Sequence, residues 1–408
     1  RFEDTAITNL PRQLTLAYRA PGWITSKVTF QSFQTLNTNI SPLLQPYRRL
    51  PQVEVDIDSP TNWKGFRTGM HNEVVLFSRD NATNVTRYDS EPYIQYDNDQ
   101  NAYFVNSKLS WRYTQYQLAA ADTFNQDRYT RNLPTLSFNS GVRLERQQDN
   151  GWQQTLEPQV YYLYTPYRAQ DALPLLDSGE PEFNFDQLFA RNRFSGVDRI
   201  ADANQLTLGL SSRWLEPESG LTRIKAGIAQ VFRLSDSRVD LCDANTTSCT
   251  GTTQANRSDV LLDLQLRLNP KFTLLSDAQV SPENGQISRS NLQVQYAPDA
   301  QRLISASYRF RRDLIKQTAL AVKWPIYGPL GFLGRWNYSL DDRNSLETLA
   351  GLQYQSCCWA SRIAWRRYIS SSQGDYNTAI YFQLELTGLT NIGNRLDTYL
   401  DRDIIPTQ

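Results

Sequence analysis

The chain has 408 residues, with 42 basic residues against 42 acidic ones, 40% hydrophobic and 12% aromatic residues, and a single His and a single Met. Zero net charge removes the overall electrostatic footprint of a nucleic-acid binder, and no apolar run reaches the roughly 20 residues that a membrane-spanning helix needs. One imidazole and four cysteines without paired CxxC spacing argue against zinc, and neither a metal nor a cofactor is expected.

Period-two alternation runs from one end to the other. Turn signals divide it into about nineteen strands, near 10–19, 23–35, 52–58, 66–78, 88–96, 102–119, 134–146, 152–164, 203–214, 221–234, 257–268, 271–281, 288–297, 302–312, 317–324, 332–340, 345–355, 359–369 and 376–388. In VLLDLQLRL, for example, Leu262, Leu264, Leu266 and Leu268 face one way and Asp263, Gln265 and Arg267 the other. The connections sort by parity. Short turns such as DNDQN, QQDNG and EPESG alternate with a set that holds nearly all the long polar loops, 36–51, 120–133, 165–202 and 235–256.

Short turns on one side and long loops on the other, joined by two-faced strands, predict an all-β fold: a large antiparallel transmembrane β-barrel with periplasmic turns and outer loops. Closure satisfies the backbone groups that lipid cannot. A soluble propeller would also alternate, but no blade repeat of about 40–50 residues is present. Nineteen strands put the two ends of the barrel on opposite sides, whereas bacterial barrels have even counts. Either one strand is uncounted or N-terminal strands are missing. A sequence that starts at Arg1, with no initiator Met or signal peptide, favours missing upstream residues.

Cys357 and Cys358 are neighbours in a short turn, where bonding two adjacent cysteines strains the geometry. Each is expected to have a distant partner in an oxidising compartment. Cys242 and Cys249 share a long outer loop, and their spacing suggests a local staple. His71 stands alone, either a structural residue or part of an outer-membrane hydrolase site. Arg309, Arg311, Arg312, Arg366 and Arg367 fall toward outer strand ends. They suit either lipid phosphates or a charged rim. Trp23, Trp214, Trp324 and Trp359 fit an aromatic girdle.

The stretches LEPQVYYLYTPYR (156–168), FDQLFARNRFSGVDRIADANQLTLGLSSRW (185–214), LQYQSCCWASRIAWRRY (352–368) and FQLELTGL (382–389) together resemble the LptD family of lipopolysaccharide-assembly outer-membrane proteins. The resemblance covers essentially the whole chain in consistent order. It implies a 26-stranded barrel preceded by a periplasmic jellyroll domain, so that residues 1–389 would be an incomplete barrel and 390–408 a periplasmic tail. It also implies translocation of lipopolysaccharide without covalent chemistry, an LptE lipoprotein plug, and a periplasmic transport bridge reached through the absent domain. Cys357 and Cys358 would bond to cysteines upstream of this chain. The strand carrying Tyr376, Ile380, Phe382, Leu384 and Leu386 would form one side of a lateral gate to outer-membrane lipid. Another large channel or nutrient transporter is the alternative.

The 185–205 loop is too apolar to be fully solvated, with Phe185, Leu188, Phe189 and Phe194 among Arg191, Arg193, Asp198 and Arg199. It is expected to fold inward or over the mouth, with Phe189, Arg193, Phe194, Asp198 and Arg199 as candidate plug contacts, unless it packs only on itself.

Overall fold

The computed structural model describes residues 9–20, 23–35, 45–60, 63–119, 126–181, 184–241, 257–299, 301–369, 375–386 and 390–393. Cys242, Cys249 and the tail beyond 393 lie outside the described residues.

The strands are β1 (Asn9–Ala20), β2 (Ile24–Thr35), β3 (Arg48–Asp58), β4 (Phe66–Ser78), β5 (Val85–Asp99), β6 (Tyr103–Leu118), β7 (Arg128–Val142), β8 (Leu144–Gln147), β9 (Gln153–Thr165), β10 (Ala203–Leu215), β11 (Thr222–Arg233), β12 (Val260–Asn269), β13 (Phe272–Val280), β14 (Ile287–Asp299), β15 (Arg302–Arg311), β16 (Ile315–Tyr327), β17 (Leu330–Ser339), β18 (Asn344–Gln355), β19 (Trp359–Ile369), β20 (Tyr376–Leu386) and β21 (Thr390–Gly393). All belong to one sheet in which each strand pairs antiparallel with its neighbours in sequence. β7 and β8 are one strand interrupted at Arg143, since both pair with β9. The nineteen expected strands are therefore all present.

Register makes the two faces explicit. Leu266, Leu274, Val294, Ala306, Leu320 and Trp336 lie in one row across β12–β17. One residue along each strand, Gln265, Leu275, Gln293, Ser307, Ala319 and Asn337 form the next row, on the opposite face. The first face is open: Leu320 is 40% and Trp336 42% exposed, whereas Asn337 on the other is 5% exposed. The same exposed apolar belt continues through Val74 and Leu76 on β4, Leu109 and Trp111 on β6, and Ile363 and Trp365 on β19. In water so long a belt would drive aggregation; in lipid it is the lowest-energy surface. Trp23 and Trp359, two of the girdle candidates, are exposed, while Trp214 and Trp324 are half-buried.

The sheet has two edges. β1 pairs only with β2, and among the described residues no ladder joins β1 to β20 or β21. β21 departs from the sequence reading, which assigned everything from 390 to a tail and left the free edge of β20 unpaired. Thr390–Gly393 instead pairs with Gln383–Leu386, so only Tyr376–Phe382 of that edge lacks a described partner. An open row of N–H and C=O groups accepts any short extended segment that reaches it. Four residues are too few to show alternation, which is why the pattern did not reveal them.

Candidate functional site

The inner face of β4–β7 carries charges that no strand neighbour fully balances. Arg87 on β5 is inaccessible to solvent. Its guanidinium donates to Glu73 on β4 at 2.8 Å, to both oxygens of Asp177 at 2.9 and 2.6 Å, and to Asp198 at 2.6 Å. Both aspartates come from the 166–202 connection between β9 and β10, which therefore folds inward against the wall. Tyr116 on β6 donates to the same Asp198 oxygen at 3.0 Å, while the other oxygen accepts the Leu176 and Asp177 backbone N–H groups at 2.6 and 2.7 Å. Arg131 on β7 donates to the Val197 and Asp198 carbonyls and to Gln170 at 2.7–2.8 Å. Burial works to raise the Asp177 carboxyl, but the hydrogen bonds and charge of Arg87 outweigh it and hold that group well below the usual carboxylate range.

The apolar part of the loop is seated on glycines. A Cβ on Gly209 of β10 would lie 2.8 Å from the Phe189 ring, and one on Gly227 of β11 would lie 3.0 Å from the Phe185 ring. These two bare backbone patches let the rings approach the wall, where Leu188 packs with Ala229, Val231 and Leu261. Gly196, at φ +69°, turns the chain so that the following Val197 and Asp198 reach Arg131 and Arg87. Arg191 reaches Glu91 at 3.1 Å and Ser110 at 2.6 Å.

Of the loop residues singled out from the sequence, Phe194 is buried with Ala201 and Val239, and Arg193 bonds the Val239 carbonyl and Asp240. Arg199 donates to the Leu173 and Pro174 carbonyls at 2.8 and 3.0 Å. The inward fold agrees with expectation. The choice of Asp198 and Arg199 as partner contacts does not: both have 0% exposure, consumed within the chain itself. Sequence reasoning missed Arg87, Tyr116, Arg131, Gly209 and Gly227. The available signal was the inner-face series Arg87, Asp89 and Glu91, unusually charged for one face of one strand.

The other candidates do not converge. Arg366 on β19 is buried and bonds Glu347, which also holds Arg335, and it lies 3.5 Å from the Tyr381 hydroxyl. Its neighbour Arg367 points outward and stacks at 4.1 Å over Tyr376. Arg311 is exposed, in register with Arg289 and Ile315, and Arg312 bonds Gln286 and the Ile287 carbonyl; both are separated from β19 by β16, β17 and β18. His71 Nδ1 lies 2.6 Å from Asp56 Oδ1, at hydrogen-bond distance across neighbouring strands of the wall. Cys357 and Cys358 are free and exposed in the β18–β19 turn, sulfurs 2.9 Å apart. The hydrogen bond from Cys358 lowers the Cys357 thiol and raises its own. On β20, Ile380 and Phe382 are 74% and 57% exposed on the outward face, and Tyr376 donates to the Ser345 carbonyl at 2.8 Å. Leu384 and Leu386 lie opposite Ile392 and Thr390 of β21.

A single antiparallel sheet, apolar outside and polar inside with a loop tucked against its inner face, defines an outer-membrane β-barrel wall. The sequence profile described as LPS transport system D matches residues 3–368. The chain is 34% identical to the LPS-assembly protein LptD of Nitrosococcus oceani, over 99% of this chain and 55% of that protein. To the LPS-assembly proteins LptD of Azoarcus sp. and Thiobacillus denitrificans it is 32% and 33% identical, over 99% and 96% of this chain and 51% and 53% of theirs. The chain belongs to the LptD family, and it is integral to the outer membrane of a Gram-negative bacterium. It spans about half the length of the curated relatives it matches. Among solved structures, the siderophore receptor PirA of Acinetobacter baumannii overlays 93% of this chain and 71% of its own at 8% identity, with a TM-score of 0.44.

Proposed function

We propose that this chain forms most of the barrel wall of a lipopolysaccharide translocon that delivers its substrate to the outer leaflet. The sugars move along the polar inner face, and the lipid leaves through a seam bounded by β20. The observation that carries the reading is the placement of β20 as the last long described strand of the ladder, with Ile380 and Phe382 facing outward and Tyr381 inward. A closed barrel opens to lipid only where one pair of neighbouring strands separates. Arg367, outward at the outer end of the adjacent strand, suits a lipid phosphate. A plug lipoprotein of the LptE type would fill the inner face left bare by the 166–202 loop, and a periplasmic bridge would supply the substrate. The exposed thiols of Cys357 and Cys358 would bond to cysteines upstream of Arg1 in the complete protein.

The test is a reversible disulfide between Thr378 and the strand facing it in the full-length protein. Lipopolysaccharide arrival at the cell surface should stop when the lock forms and resume on reduction. Undiminished arrival with the lock complete overturns the seam as the route.

A further inference from the structure

A second polar site lies at the rim of the wall, at the outer ends of β9, β10 and β11. It is a groove of about 470 Å³ lined by Tyr164, Tyr167, Asn204, Asp236 and Arg238 among others. Its orientation follows from alternation. Leu163 and Thr165 are buried on the inner face, so Tyr164 between them, 42% exposed, points outward. Asn204 sits directly opposite Tyr164 in the ladder and shares its face. Tyr164 and Asn204 reach the groove from the outward face and Thr165 from the inner one, so it stands on the rim at the level where the polar headgroups of the outer leaflet lie, above the belt that includes Val160 and Leu208.

The groove is held in shape by a buried carboxylate. Asp202, 6% exposed, accepts the backbone N–H groups of Arg238 and Val239 at 2.9 Å and the Ser237 hydroxyl at 3.3 Å. That pins the backbone of Arg238, and the guanidinium then stacks 3.9 Å over the Tyr167 ring. Stacking fixes the plane of a guanidinium and leaves its N–H edge free for a planar or tetrahedral oxyanion. Among the described residues, that edge donates to no protein group and the Asp236 carboxylate accepts from none. Asn204 Oδ1 accepts from Tyr162 at 3.0 Å, which orients its amide. An oriented cation, aromatic faces, a carboxylate and an amide match a phosphorylated sugar: phosphate on Arg238, ring faces on the tyrosines, hydroxyls on Asp236 and Asn204.

We propose that this groove binds the phosphorylated sugar headgroup of an outer-leaflet glycolipid, a lateral site outside the transport route. It rests on placement in the outer membrane and not on the translocation reading. The test uses the full-length protein with its partner lipoprotein in detergent, stripped of lipid, as wild type and as Arg238→Gln. Binding is measured by native mass spectrometry for a bisphosphorylated acylated glucosamine disaccharide, its dephosphorylated form, phosphatidylglycerol and glucose 1-phosphate. Arg238→Gln should weaken the bisphosphorylated glycolipid about tenfold, as the loss of a charge-assisted hydrogen bond predicts, and leave the dephosphorylated form unchanged. Equal binding by both proteins overturns the site. So does an equal loss for phosphatidylglycerol, which would mean that phosphate alone is read. Glucose 1-phosphate displacing the lipid at equal concentration overturns the lipid as the occupant. Tyr164→Leu should give a smaller loss of the same selectivity. Surface delivery of lipopolysaccharide should be intact in Arg238→Gln. Delivery that fails while glycolipid binding is unchanged refutes this site and leaves the translocation reading standing.

Discussion

Between β4 and the outer end of β12 the inner face of the sheet is covered by the described residues of the 166–202 connection, whereas over the rest of β12 and on β13–β16 the same face carries half-exposed polar side chains such as Gln265, Gln293 and Ser307. The difference begins in the connections. The outer turns of the second region, 281–286 and 312–314, are too short to reach inward. A wall strand there can place on its inner face only groups that water or its neighbours satisfy. In the first region a long loop brings its own carboxylates, and the wall can bury Arg87, Arg131 and Tyr116 completely because partners arrive from outside the sheet. The first region is therefore a core supplied by the loop, whereas the second mixes half-exposed positions such as Gln293 and Ser307 with side chains such as Gln295 and Ser305 that their strand neighbours bury.

The largest test of that contrast is Arg87→Ala. Removing the cation strands Glu73, Asp177 and Asp198 in a buried site, a loss of about 3–5 kcal/mol for a broken buried pair. The barrel should still form, because its ladder is untouched, but the loop should come away. Limited proteolysis of the folded variant should then cut within 166–202, where the parent resists. A loop as protected as the parent's would show that its apolar contacts alone hold it.

Much of this was legible in the sequence, and the boundary is physical. Alternation is a property of single strands, so all nineteen long strands, the parity of the loops and the outward face of β20 could be read directly. The apolar content of Phe185, Leu188, Phe189 and Phe194 also foretold that the loop would not stay in water. What a charged residue bonds to was not legible. Arg87 meets Asp198 across 111 positions in sequence, and no local pattern encodes that pairing. Arg366 and Arg367 illustrate the same limit: adjacent and identical in type, they fall on opposite faces, one consumed by Glu347 and the other exposed over the Tyr376 ring.

A smaller effect is expected at the glycine seat. Gly209→Val would put a branched side chain where the Phe189 ring stands. Overpacking of this kind costs about 1–3 kcal/mol, enough to lift the ring but not to break the Arg87 bonds. Hydrogen exchange should rise at 186–190 and stay low at 196–199. Equal protection at both places would mean that the wall yields and the ring stays.

The smallest effect should come from a half-exposed position of the second region, and it sharpens the comparison most. Ser307→Ala on β15 and Thr114→Ala on β6 each remove one inner-face hydroxyl. Thr114 is fully buried, donates to Asp89 at 2.6 Å and accepts from Arg131 at 2.9 Å. Ser307 is half-exposed, and its hydroxyl makes no hydrogen bond to another described residue. Water replaces what Ser307 loses, so its substitution should change unfolding free energy by less than about 0.5 kcal/mol. Thr114→Ala leaves a buried carboxylate and guanidinium each short of a partner, a loss of about 1–3 kcal/mol. Urea titration of both variants in the same lipid measures the difference directly. If the two substitutions cost the same, the two positions are equally packed, and the distinction between loop-covered and half-exposed parts of the inner face fails.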